Sequence, residues 1–117
     1  VSGLLTTHVL DTANGKPAAG MSIELYAIER EQRRLVKTLR TNADGRTNGP
    51  LLGEGEFDAG LYEIDFDVAG YFAGETGLPD PPFLGRVPVR FGVADPEAHY
   101  HVPLLVSPWS YSTYRGS

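Results

Sequence analysis

With 117 residues, 41% of them apolar and 21% charged, the chain has the balance of one folded domain with a modest core. A net charge of −5 without a basic stripe argues against a nucleic-acid partner, and no run reaches the roughly 20 apolar residues of a membrane helix. The absence of cysteine removes disulfides, thiol nucleophiles and thiolate metal sites from consideration.

Leu4 to Asp11 reads as a first strand, with Leu4, Thr6, His8 and Leu10 on one face and Leu5, Thr7 and Val9 on the other. Asn14-Gly15-Lys16-Pro17 is a turn signal. Met21 to Arg30 forms a second strand whose Met21, Ile23, Leu25 and Ala27 share a face. The charged cluster Glu29 to Arg34 suits a solvated hairpin end. Leu35 to Thr41 is a third strand, closed by Asn42-Ala43-Asp44-Gly45 with its tight-turn Asp-Gly pair. Arg46 follows at once, and a short fourth strand falls within Thr47 to Leu52.

Gly60 to Asp67 alternates Leu61, Glu63 and Asp65 against Tyr62, Ile64 and Phe66, the pattern of a half-buried strand. Val68 to Gly77 is the one helical candidate, limited to a turn or two by its internal glycines. Leu78 to Leu84 is proline-rich loop, Arg86 to Ala94 a strand, and Asp95-Pro96 a turn. His99 to Val106 and the Ser/Tyr/Thr run after Ser107-Pro108 make a terminal hairpin, expected to pair antiparallel and to form one wall of a site. Seven or eight short strands with one short helix predict an all-β, two-sheet sandwich in a single domain spanning residues 1–117.

All three histidines fall in expected strands. His99 and His101 share a face, and His8 joins them if the first strand lies beside the terminal hairpin. Two adjacent imidazoles, with ordinary pKa values near 6.5, suit general acid–base work at neutral pH. The same three could instead ligate zinc, a second choice because no carboxylates stand ready to orient them. Arg46 is by default a solvated loop cation, yet its planar fork suits a carbonyl or a developing oxyanion. Tyr114 is by default a cross-strand packing residue, and alternatively one that positions a substrate. No close carboxylate pair, phosphate loop or nucleophile elbow is present.

Three motifs carry a family resemblance. Thr7-His8-Val9-Leu10-Asp11 with Gly15-Lys16-Pro17-Ala18, Thr41-Asn42-Ala43-Asp44-Gly45-Arg46, and the stretch from His99 to Tyr114-Arg115-Gly116-Ser117 occur in the order found in the transthyretin-like family. The ending resembles that of its enzyme branch, the 5-hydroxyisourate hydrolases, rather than that of hormone carriers. This resemblance implies a transthyretin-like sandwich assembled as a homotetramer, a dimer of dimers with sites in a central channel. The implied substrate is 5-hydroxyisourate, with no cofactor or metal. His8, Arg46, His101 and Tyr114 fall on the catalytic positions, and Arg46, Tyr114 and Ser117 on substrate-binding ones. His99 is expected to be structural or at the site's edge. A transthyretin-like small-molecule carrier and a purely structural module are the competing readings. A first residue of Val implies removal of an initiator, leader, tag or upstream domain. Cytoplasm is the default compartment, with periplasm and peroxisome left open, although Arg-Gly-Ser is not the peroxisomal Ser-Lys-Leu signal.

Overall fold

A computed structural model describes residues 3–116. In chain order the elements are β1 (Leu4–Thr6), β2 (Val9–Asp11), β3 (Lys16–Pro17), β4 (Ser22–Glu29), β5 (Gln32–Arg40), β6 (Gly60–Asp67), α1 (Val68–Phe72), β7 (Arg86–Val93), β8 (His99–His101), β9 (Leu104–Val106) and β10 (Tyr111–Thr113). One sheet runs β5-β4-β6-β7, antiparallel throughout. Facing it are β10-β9-β2-β3 and the pair β1-β8.

These last two pieces are one sheet interrupted once. Thr6 faces His101 and Val9 faces Leu104 at the same offset, both in parallel pairing. At the interruption the Thr7 hydroxyl donates to the Val102 carbonyl at 2.7 Å, taking the acceptor that the ladder would otherwise use. Pro103 in the same gap has no N–H to give. Joined across it, the ten segments make eight strands, within the seven or eight expected. His8 is accordingly not inside a strand, as expected from sequence, but at the break between β1 and β2.

Alternation survives the break. Leu5, Thr7, Val9 and Asp11 are buried, while Leu4, Thr6, His8 and Leu10 lie on the other face. From the opposite sheet Met21, Ile23, Leu25, Ile64, Phe66 and Val87 join Leu5, Val9, Leu104 and Val106 in one core. Each such side chain, fully buried, contributes about 1.5–3 kcal/mol of transfer free energy.

Three local expectations are corrected. The second hairpin is tighter than its charge cluster suggested: β5 starts at Gln32, and Arg30 (φ 52°) and Glu31 (φ 65°) form a two-residue turn without glycine. No strand forms within Thr47 to Leu52, where Gly49-Pro50 intervenes and only Leu52 bridges to Leu5. β6 is buried on both faces, because arginines from β5 and β7 cover Glu63 and Asp65, which are 4% and 6% exposed.

Candidate active site

The β1–β8 register sets the histidines. Because Thr6 and His101 are directly paired, the Thr6 hydroxyl sits between two imidazoles, 2.8 Å from His101 Nδ1 and 2.9 Å from His99 Nε2. The two rings are tilted at 65°, with centroids 6.4 Å apart. His101 is half-buried, its Nδ1 is engaged, and its Nε2 has no hydrogen-bond partner among the described residues. Gly116 is bridged to His101 from the other side, its N–H donating to the His101 carbonyl at 2.7 Å. A Cβ at Gly116 would lie 2.9 Å from the His101 ring, so close packing of the terminal segment requires glycine there.

The turn after β5 delivers Arg46 to the same place. Asn42 accepts the Asp44 and Arg46 N–H groups on its side-chain oxygen, at 2.9 and 3.2 Å, and donates its own N–H to the Arg46 carbonyl at 2.7 Å. The turn then docks on β2 through Val9 N–H donating to the Gly45 carbonyl at 2.8 Å. Gly45 holds φ +74°, and a Cβ there would stand 2.3 Å from the Val9 carbonyl oxygen. One residue earlier, the Asp44 carbonyl lies 2.9 Å from His8 Nε2. A carbonyl can only accept, so Nε2 carries the His8 proton and the lone pair of the neutral ring is on Nδ1.

Electrostatics singles out His101. Burial pushes its pKa below the ordinary imidazole value, and the neighbouring charges of Arg46, His8 and His99 push it the same way. The ring is thus neutral at neutral pH, as a general base must be. Among the described residues no carboxylate lies within ion-pair distance of Arg46, which leaves that cation available to a developing negative charge.

His8, Arg46 and His101, expected together from sequence, share this electrostatic neighbourhood. Tyr114 is not grouped with them: it lines a hollow at the sandwich edge with Phe91, Tyr100 and Val102. The register that pairs Thr113 with Leu104 and Gly116 with His101 puts it opposite Pro103. It is 60% exposed, and its hydroxyl makes no hydrogen bond among the described residues. Ser117 lies outside those residues. His99 is exposed and tied to Thr6.

The zinc alternative does not match this geometry. Among the described residues no three His, Asp or Glu side chains cluster as metal ligands, and two of the three imidazoles share a hydroxyl instead. Sequence reasoning missed Thr6 and Asn42. Thr6 was discoverable as the residue two before His8 on the same face, once the first strand is placed beside His-x-His.

Two hollows of the single chain lie away from the three imidazoles. One, of about 480 Å³, lies between α1, the proline loop and Pro108. The other, of about 230 Å³, lies at the sandwich's open edge beside β7 and residues 113–115. His8 and His101 are half-buried and His99 is exposed, so solvent reaches the imidazoles on the single chain.

Residues 5–116 match the HIUase/Transthyretin family. A relative from Ralstonia nicotianae, named 5-hydroxyisourate hydrolase, is 60% identical over 116 residues, covering 98% of this chain and 99% of its own. One from Rhizobium meliloti, named 5-hydroxyisourate hydrolase 2, is 56% identical over 117 residues, covering 99% and 98%. Among solved structures, that of Klebsiella pneumoniae 5-hydroxyisourate hydrolase superposes with a TM-score of 0.80 at 32% identity, covering 98% of this chain and 99% of that one. The structure of an (S)-allantoin synthase superposes with a TM-score of 0.93 at 52% identity. All of this chain is covered there, but it spans only 44% of that longer chain. With a family match over nearly its whole length and full-length relatives above half identity, the chain belongs to the HIUase/Transthyretin family.

Proposed function

We propose that this protein hydrolyses 5-hydroxyisourate to 2-oxo-4-hydroxy-4-carboxy-5-ureidoimidazoline. The observation that carries the reading is a neutral, half-buried His101 with the cationic Arg46 beside it, in a chain whose full-length relatives bear the hydrolase name. In the reaction, water gives a proton to an imidazole nitrogen and its oxygen bonds to a ring carbonyl carbon. The carbonyl oxygen becomes an oxyanion facing the Arg46 guanidinium. As that oxyanion collapses, the ring C–N bond breaks and the imidazolium returns the proton to the departing nitrogen. His101 is the better base, since burial and the Arg46 charge keep it deprotonated. His8, held by Asp44 through Nε2, orients the water from the other side. Tyr114 borders the substrate's ring.

Solvent access to the imidazoles supports a further part of the reading. A flat ring bound there on one chain would remain half in water, so we propose a homotetramer whose facing copies close the site. Residues of the edge strands β7 and β10 alternate or remain exposed, and Trp109, Tyr111 and Tyr114 are exposed aromatics near the second of these edges. The carrier alternative is disfavoured by the polar lining of this face and by the hydrolase names of the full-length relatives.

The test is the decay of freshly generated 5-hydroxyisourate followed by absorbance, with and without the protein. Acceleration over spontaneous decay supports the hydrolase; an unchanged decay together with ligand binding would support the carrier. Sedimentation in the same buffer reads the assembly state.

A further inference from the structure

Among the described residues the Thr6 hydroxyl is the one atom hydrogen-bonded to two of the three imidazoles. A hydroxyl has a single proton to donate, so the two rings cannot both accept from it. If Thr6 donates to one ring nitrogen, the other must carry a proton and donate to Thr6. While the Thr6 proton lies between the rings the two are tied: whichever nitrogen accepts it, the other donates.

From this we infer that Thr6 is a positioning residue that holds His101 in its Nδ1–H form, leaving the Nε2 lone pair to act as the base, while passing its own hydroxyl proton to His99 Nε2. The inference rests on the hydrolase reading of the same site. His101 Nδ1–H donates to Thr6 Oγ1 at 2.8 Å, and Thr6 O–H donates to His99 Nε2 at 2.9 Å. When water yields its proton to His101 Nε2, the imidazolium keeps an acceptor at Nδ1, which favours the charged form. Arg46 and His8 oppose that charge, as does His99 from its place on β8. The Thr6 oxygen is thus the group on β1 that favours the protonated ring. Orienting a catalytic imidazole through Nδ1 is worth about 10⁴ in rate where an ionised carboxylate does it. A neutral hydroxyl is a weaker acceptor, so the expected share here is about tenfold to a hundredfold.

The arrangement also gives His99 a consequence. A His99 carrying hydrogen on both nitrogens must donate from Nε2. Thr6 then either accepts from both rings on its two lone pairs or turns its proton to His101 Nδ1, which would move the lone pair away from Nε2.

The experiment compares Thr6→Val, which keeps the β-branched shape and removes the hydroxyl, with Thr6→Ser, which restores it. First, wild-type protein must accelerate 5-hydroxyisourate decay; failure there overturns the hydrolase reading itself. Given that activity, Thr6→Val is expected to lower kcat about tenfold or more with KM little changed. The acid limb of its pH profile is expected to move to lower pH, because the protonated ring has lost an acceptor, and Thr6→Ser to recover both. Imidazole ¹⁵N shifts give a readout independent of turnover: His101 is expected as the Nδ1–H tautomer in wild type and Thr6→Ser, and displaced toward Nε2–H in Thr6→Val. Wild-type rate and pH profile in a folded Thr6→Val, or an Nε2–H tautomer of His101 in the wild type, would overturn the inference.

Discussion

On the outward face of the β5-β4-β6-β7 sheet, Arg33, Arg86 and Arg90 close over Glu24, Glu63 and Asp65. Arg33 reaches Glu63 at 2.8 Å and stacks over the Tyr26 ring at 4.1 Å, while Arg90 reaches Glu63 at 3.2 Å. On the opposite sheet Arg46 stands among imidazoles with no carboxylate at ion-pair distance among the described residues. The same side chain serves two purposes, and its neighbours decide which. Where carboxylates absorb the charge, arginine is a cover for strand β6; where they are withheld, its charge is left uncompensated. Even the flaw in the first region is contained: Asp65 Oδ1 is buried without a hydrogen-bond partner among the described residues, and burial raises that carboxyl's pKa against the pull of Arg86 and Arg33.

The comparison can be broken most severely at the uncompensated end. Arg46→Ala or His101→Asn is expected to slow turnover by about a hundredfold or more while circular dichroism and sedimentation stay as in wild type. A wild-type rate for either would remove that residue from the chemistry. Gly45→Ala strikes the turn that carries Arg46. It forces a side chain into positive φ and into the Val9 carbonyl, so a loss of more than about 1 kcal/mol in denaturant titrations should accompany reduced activity. At the compensated end, Glu63→Gln takes from Arg90 its carboxylate and leaves Arg33 only Asp65, at 3.6 Å. Its denaturation midpoint should fall while turnover remains at the wild-type rate, the reverse of Arg46→Ala.

The smallest effect is a displaced pH profile. Since His101 titrates below the ordinary imidazole value of about 6.5, activity should persist as pH falls through that value and fail only at lower pH. Taking away a neighbouring positive charge, as in His8→Asn, should move the acid limb of the residual activity upward. A limb that moved downward would contradict the proposed electrostatics.

How much of this could be read beforehand depended on the range of the interaction. The two faces of Leu4 to Asp11 were legible because alternation is local, and so was the Asp44-Gly45 turn ahead of Arg46. The gap at His8 was not, because its cause is a Thr7 hydroxyl meeting a carbonyl near the far end of the chain. Glu63 and Asp65 read as a solvated face because the arginines that cover them come from β5 and β7, distant in sequence. Thr6 looked like one more β-branched strand residue until its register with His101 was known. Nothing local showed that Tyr114 would line the hollow beside β7 with Tyr100 and Val102.

The parallel alignment of β1 with β8 puts the imidazole cluster on a long-range contact. Thr6 and His101 are 95 positions apart, so they meet only when the chain between them has closed back on itself. A cut between His101 and Gly116 removes the backbone pairing that seats His101 from its other side. No local segment can assemble this cluster alone, and whatever parts β1 from β8 takes it apart.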